Sequence, residues 1–131
     1  MVRGAGFSFS APSGWRTSRT PRSVAASDGR VRVSVSTYTL QKPYRPALFA
    51  AAARELDGVV AKLAASAGRK LSERRTIEVA GRKIRAYRFG TVRIGFVLVG
   101  TREYQLLCKL TSSGSDPAGA CALLFSSFSV S

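Results

Sequence analysis

The chain contains no histidine, and only 7 of its 131 residues are acidic. Histidine is the commonest general base and the commonest metal ligand, so its absence leaves a serine or cysteine nucleophile without an imidazole to activate it. The seven carboxylates are scattered along the chain without a recognisable catalytic spacing. The sequence therefore predicts a protein that is not an enzyme and that uses neither a cofactor nor a metal.

Long apolar runs are also missing, because no stretch reaches the roughly 18 residues of a membrane-spanning helix. The first residues, Met1 to Gly6, lack the apolar segment of a signal peptide. We therefore expect either a cytoplasmic protein or a chain that begins after a removed leader. Apolar residues make up 45% of the chain, which predicts one globular domain spanning residues 1–131.

Basic residues are abundant. Lys and Arg number 21, of which 16 are Arg, and the net charge is +14. Such a surface attracts polyanions, whether nucleic acid, an anionic membrane surface or polymer, or an acidic protein. Guanidinium groups are well matched to phosphate and carboxylate. The same composition can also simply reflect a GC-rich genome.

Hydrophobic periodicity predicts an α+β domain. Strict alternation over Arg30–Leu40 predicts a half-buried strand, and apolar residues at spacings of three and four predict one long helix over Pro46–Gly68. This helical stripe consists of Leu48, Phe49, Ala52, Leu56, Val59, Val60, Leu63 and Ala67. Short strands are expected at residues 7–10 and 24–26, and loops at residues 16–23, 41–45 and 111–114.

After the long helix the period changes to two. Strands are predicted over residues 71–80, 83–89, 92–99 and 103–111, joined by short turns in an antiparallel meander. Asp116 is expected to cap a short C-terminal helix that begins at Pro117. The predicted architecture is an antiparallel sheet with one long helix between strands and a short C-terminal helix packed on it.

Gly90 and Gly95 have the spacing of a phosphate-binding loop, but Phe96 and Val97 replace the lysine and hydroxyl residue that such a loop needs. We therefore interpret both glycines as turn or strand residues. They do not predict a nucleotide site.

The two cysteines, Cys108 and Cys121, are predicted to form a disulfide. Cys108 lies on the inward face of the last long strand, and the short connection brings the C-terminal helix back beside it. The alternative is a pair of buried free thiols, since cysteine packs well in a core. A disulfide would indicate an oxidising compartment.

Five basic residues are predicted to leave the sheet on the face opposite Val31, Val33, Ile84 and Ile94. They are Arg30, Arg32, Lys83, Arg85 and Arg93. If they converge on one surface, they form a site for a polyanion or an acidic partner, and Tyr38 and Tyr87 on the same side could contribute stacking. Two alternatives remain open: ordinary solvent-facing positions, or a patch broken up because the long helix covers this face.

Two short motifs resemble those of the PsbP/Mog-like superfamily, in particular its small bacterial LpqN-type lipoproteins and secreted domains. The first is Phe9-Ser-Ala-Pro12-Ser-Gly14-Trp15, and the second is Leu124-Phe-Ser-Ser127-Phe128 near the C-terminus. The resemblance implies a non-enzymatic accessory or partner-binding domain, located outside the cytoplasm or on the cell envelope. It implies structural roles for Trp15 and Phe128 and carries over no catalytic residue. The alternative function is a polyanion-binding protein of the cytoplasm or the envelope.

Overall fold

The computed structural model describes residues 1–112 and 115–131, and it confirms the α+β prediction. The strands are β1 (Val2–Gly4), β2 (Phe7–Phe9), β3 (Arg16–Arg19), β4 (Ser23–Ser27), β5 (Arg32–Tyr44), β6 (Glu73–Val79), β7 (Arg82–Phe89), β8 (Val92–Lys109) and β9 (Ser129–Val130). The helices are α1 (Phe49–Ser66), which follows a 3-10 turn over Pro46–Leu48, and α2 (Ala120–Ser127). Ser113 and Gly114, which belong to the loop predicted at residues 111–114, lie outside the described residues.

The strands form two antiparallel sheets. Six of them follow the order β3-β4-β5-β8-β7-β6, in which β6, β7 and β8 form the predicted meander. The other three follow the order β1-β2-β9, so this small sheet joins the two ends of the chain. The small sheet was not predicted, since its pairing of Phe7 with Val130 is invisible to any local pattern.

The six-stranded sheet is covered on both faces. On one side, which we call the α1 face, Tyr87, Ile94 and Phe96 pack against Val60 and Ala64 of α1. Tyr87 was predicted to point outward, and this prediction is wrong, because its side chain is only 3% exposed. The cross-strand register places Arg85 and Phe89 on this face as well.

The opposite side, which we call the α2 face, carries the larger core. Val33 and Cys108 lie opposite each other here, and they pack in one cluster with Leu124 of α2 and Phe9 of β2. Ile84 belongs to this cluster. The prediction that Ile84 and Ile94 share a face is therefore wrong, because Ile94 lies against α1.

Along strand β8, the positions that face the α2-face core change from odd-numbered to even-numbered residues. Val97 and Val99 contact the α2-face core, and so do Tyr104 and Leu106, so the inward positions change from odd to even numbers. The change occurs around Gly100, whose φ of +57° is a conformation that favours glycine. The predicted turn at residues 100–102 and the predicted loop at 41–45 are both wrong, because β8 runs through and β5 extends to Tyr44 with a shift in register.

Helix α1 begins after Pro46 and ends before Gly68, as predicted, but its buried side differs from the predicted stripe. The buried residues are Ala53, Val60 and Ala64, whereas Val59 and Leu63 are 57% and 44% exposed. Half of the predicted apolar stripe is therefore exposed, namely Leu48, Val59, Leu63 and Ala67.

Two further boundaries differ from prediction. The segment 16–23, expected as a loop, contains the edge strand β3, all four of whose residues are exposed. A strand with no buried side leaves no alternation to detect. Helix α2 begins at Ala120 and not at Pro117, although the Asp116 carboxylate accepts hydrogen bonds from the N–H groups of Cys121 and Ala122, each at 3.1 Å.

Aromatic rings close the core between the small sheet and α2. Phe128 is 2% exposed, and its ring centroid lies 6.0 Å from that of Phe7 and 5.5 Å from that of Tyr104. Trp15 is partly buried against the same core. The structural roles expected for Trp15 and Phe128 therefore agree with their packing.

Candidate functional site

The five predicted basic residues do not converge on one surface. Arg32 lies on the α1 face, and Arg30 precedes it in the β4–β5 turn. Lys83 and Arg85 lie on the same face, but beside helix α1, whereas Arg93 lies on the α2 face. The expected single patch is therefore wrong, and the alternative in which the long helix breaks it up is the one observed.

Arg85 is held by the helix. Its Nε and Nη2 atoms donate to the two carboxylate oxygens of Asp57 at 3.1 and 3.2 Å, and Tyr87 Oη donates to Asp57 Oδ1 at 2.5 Å. The Arg74 guanidinium adds an ion pair at 3.8 Å. A bidentate arginine–carboxylate pair is a strong, directional contact, so this network fixes α1 on the sheet. The remaining Nη1 atom of Arg85 donates to Thr76 Oγ1 at 3.2 Å, so all three nitrogen atoms of the guanidinium have partners within the protein.

The groups of this network shift one another's pKa values. Hydrogen bonds from Arg85, opposed by partial burial and assisted by the bond from Tyr87, lower the pKa of Asp57. Burial, with the hydrogen bond to Asp57, raises the pKa of Tyr87. The hydrogen bond to Asp57 also raises the pKa of Arg85. Each shift favours a charged Asp57–Arg85 pair with a protonated tyrosine.

Lys83 also contacts helix α1. Its Nζ lies 4.5 Å from the ring centroid of Phe49 at the start of α1. A cation over an aromatic face is attracted by the ring quadrupole. Lys83 and Arg85 therefore act mainly in joining α1 to the sheet.

A different cluster of arginines lines a groove at the other end of the six-stranded sheet. The groove has a volume of about 570 Å³ and lies between the β1–β2 turn and strands β3, β4 and β5. Arg19, Arg22 and Arg102 line it, with the hydroxyl residues Thr20, Ser23, Thr37, Tyr38 and Thr39. We call this site the basic groove. None of its lining residues is acidic, and among the described residues none of the three arginines has a carboxylate within 4.0 Å.

The wall of the basic groove is fixed by the β3–β4 turn. Thr20 N–H donates to the carbonyl oxygen of Ser23 at 2.9 Å, and the hydroxyl oxygens of the same two residues lie 2.9 Å apart. Thr37 N–H donates to the carbonyl oxygen of Arg22 at 2.8 Å. These bonds tie the turn to β5, so the position of Arg22 is set by ordered backbone.

The other two arginines reach the β1–β2 hairpin. Arg19 Nη1 donates to the carbonyl oxygen of Arg3, and Arg102 lies against Gly6 in the β1–β2 turn. Although Tyr38 lines the groove, cross-strand register places its side chain opposite Glu103 on the α1 face, away from Arg102. The arrangement offers guanidinium donors and hydroxyl groups to an anionic, extended ligand.

Sequence reasoning missed this groove because its parts come from distant segments. The cluster of basic and hydroxyl residues at 16–23 was the available signal, but it was interpreted as an exposed loop. Arg102 is about 80 residues further along the chain, and only the pairing of β5 with β8 brings it beside Thr39.

Cys108 and Cys121 form the predicted disulfide. Their Cα atoms are 5.7 Å apart, within the usual range for a bridge, and both side chains are buried. The bond joins β8 to the first turn of α2. A disulfide is typical of an oxidising environment.

Neither helix in the described part of the chain has the length and hydropathy that would let it cross a membrane.

Comparisons with known proteins show the fold and no more. No family model matches the chain, and no curated protein matches it. Among solved structures, a crystal structure of a protein from Bacteroides thetaiotaomicron is similar, with a TM-score of 0.64 at 10% sequence identity over 96% of this chain. The match covers 45% of that protein, so this chain spans less than half of its length.

Proposed function

We propose that this chain is a non-enzymatic accessory domain that works outside the cytoplasm and binds an anionic polymer in the basic groove. The observation that carries the proposal is the grouping of Arg19, Arg22 and Arg102 around one groove that no carboxylate lines. Elsewhere carboxylates form ion pairs with arginines, as Asp57 does with Arg85 and Glu73 with Arg75.

The shape and chemistry of the basic groove favour a chain of anionic units over a compact ion. Its volume of about 570 Å³ exceeds what a single phosphate or carboxylate fills. The three guanidiniums come from β3, the β3–β4 turn and β8, so they are spread around the groove. Hydroxyl groups between them can hydrogen-bond to the sugar or backbone oxygens of such a ligand.

The disulfide supports a location outside the cytoplasm, since such bonds persist in oxidising compartments. An anionic polymer of the cell envelope is therefore a more fitting ligand than nucleic acid. The proposed membership in the PsbP/Mog-like superfamily rests on the two sequence motifs, and the contacts of Trp15 and Phe128 with the core are compatible with it.

Binding of anionic polymers to matched variants tests this proposal. The groove variant R19Q/R22Q/R102Q removes three charges from the basic groove. The control R16Q/R32Q/K109Q removes three charges from a row on the α1 face, where Arg32 pairs with Lys109 and Arg16 lies two strands away. We expect the groove variant to weaken binding by about tenfold or more and the control to change it much less.

Fluorescence anisotropy with heparin, polyphosphate, single-stranded DNA and poly-glutamate at two salt concentrations provides the readout. The salt dependence should become shallower in the groove variant, because fewer counterions are released on binding. Preferential binding of poly-glutamate would point to an acidic protein partner. An equal loss of polymer affinity in the groove variant and in the control would contradict the proposal that the groove is the binding site. The attraction would then come from the whole surface, whose net charge is +14.

A further inference from the structure

A second cavity lies on the α2 face, where β6, β7 and β8 meet helix α2. Its volume is about 200 Å³. Three arginines line it, Arg75, Arg88 and Arg93, and we call it the three-arginine pocket. Of these, only Arg93 was singled out from the sequence.

Cross-strand pairing places the charged residues of this pocket opposite one another on neighbouring strands. Arg88 of β7 lies directly opposite Arg93 of β8, and Glu73 of β6 lies opposite Arg88 on its other side. The Glu73 carboxylate forms its ion pair with Arg75, at 3.1 Å. Arg88 and Arg93 therefore stand side by side, and among the described residues neither has a carboxylate within 4.0 Å.

The Nε atoms of Arg88 and Arg93 are both excluded from solvent, and neither has a hydrogen-bond partner. A buried donor without an acceptor is uncommon in folded proteins, and like charges directly opposite each other on a sheet destabilise it. An anion that reached the two guanidinium groups from the pocket would offset both charges, so the pair has the properties of a binding site.

The lining also includes the Glu73 carboxylate, which is held in its ion pair with Arg75, and it is otherwise largely apolar. Ala86 lines its floor, and the Phe125 ring covers Gly95, which lies opposite Ala86 in the next row. A side chain at position 95 would meet this ring, because an added Cβ would lie 2.6 Å from Phe125 Cε1. Ile77 and Ala122 also line the pocket.

We infer that the three-arginine pocket binds a small organic carboxylate, with its head between Arg88 and Arg93 and its apolar body against Phe125 and Ala86. A carboxylate suits two guanidiniums because its two oxygens can accept paired N–H donors. The third arginine, Arg75, is engaged by Glu73, and the apolar floor and wall offer no donor to the further oxygens of a phosphate. The cavity is smaller than the roughly 300–1,000 Å³ of sites for drug-sized ligands, so the ligand is small.

Binding to the full chain can be followed by two-dimensional NMR and by thermal unfolding, with benzoate as the probe. Benzyl alcohol tests the need for charge, and inorganic phosphate tests the preference for an apolar body. We expect benzoate to shift resonances of β7, β8 and α2 and to bind at least about tenfold more tightly than either comparison compound. Tighter binding of phosphate, or equal binding of benzyl alcohol, would overturn the assignment.

Variants distinguish binding in the pocket from attraction by the overall positive charge of the protein. R88Q and R93Q should each lose benzoate binding, and so should A86V, which fills the floor with a residue that strands accommodate well. R16Q, on the opposite face, removes the same charge and should bind like the wild type. Without ligand, R93Q should unfold at a temperature equal to or higher than the wild type, because it relieves the Arg88–Arg93 pair.

Benzoate binding that survives in R93Q and A86V would overturn the inference, as would its absence from the wild type. A marked loss of stability in ligand-free R93Q would assign Arg93 a structural role instead. Because the basic groove is not lined by any of these residues, the groove variant R19Q/R22Q/R102Q should bind benzoate normally. The two proposals can therefore fail separately.

Discussion

Asp57 is the residue on which the attachment of helix α1 depends most clearly. It accepts hydrogen bonds from Arg85 and Tyr87 on the sheet, and its side chain is 19% exposed. Replacing it with asparagine keeps the shape but removes the charge that both partners bind. We expect D57N to lower the free energy of unfolding at neutral pH by about 1–3 kcal/mol, as for hydrogen bonds to charged groups.

The pH dependence of this difference follows from the lowered pKa of Asp57. The folded pKa lies below the ordinary value of 3.8, so the stabilisation is complete above that value and is lost as the pH falls through the folded pKa. Urea unfolding of wild type and D57N over an acid series should therefore show two curves that converge in strong acid. E55Q, on the same helix, is the control and should change stability little. If the difference in the free energy of unfolding between wild type and D57N stayed constant into strong acid, the stabilising role of the ionised Asp57 would be contradicted.

Trp15 provides the second prediction at the scale of single residues. It is the only tryptophan of the chain, and it packs partly buried against the main core. We expect W15A to cost about 2–3 kcal/mol, less than the full burial of a tryptophan would give. W15F should recover most of the loss. The wild-type emission should shift to longer wavelength on unfolding, and an unchanged midpoint for W15A would show that the contact contributes nothing.

At the scale of elements, the disulfide between β8 and α2 has a measurable consequence. The two cysteines are 13 residues apart, and closing a loop of this size stabilises a domain by about 3 kcal/mol. We expect C108A/C121A to lose about this amount in urea unfolding. Reduced wild type serves as the control, since it loses the bond but keeps both sulfur atoms.

Mass spectrometry after alkylation checks the premise of this experiment. The unreduced protein should take up no label, and the reduced and unfolded protein should take up two. Two labelled thiols without reduction would remove both the bond and the argument for an oxidising compartment.

Strand β7 shows how far the sequence could predict the elements. Its position and its turns follow from the period of two, and they were predicted correctly. Its alternation predicts Ile84 inward and Tyr87 outward, but both side chains are buried because the sheet is covered on both faces. Which of the two meets α1 depends on Asp57, which is about 30 residues away in sequence. A still larger separation, between the 16–23 segment and Arg102, concealed the basic groove.

At the scale of the whole molecule, the fold class and the disulfide were predictable, but the surface was not. Alternation assigns a polar side to each strand without telling whether another element covers it. Here the sheet is covered on both sides, so five basic residues expected together lie in three places. The chain ends add the small sheet, and with it one wall of the basic groove.

The outermost strands of the six-stranded sheet are β3 and β6, and both carry exposed arginines. Arg16 and Arg19 lie on β3, and Arg74 and Arg75 lie on β6. An edge strand has backbone groups that could pair with the edge of another copy, and charged side chains oppose such contact. Two copies that met along β3, which has no acidic residue, would bring Arg16 and Arg19 of both copies together, so this part of the positive charge opposes growth of the sheet into a fibre.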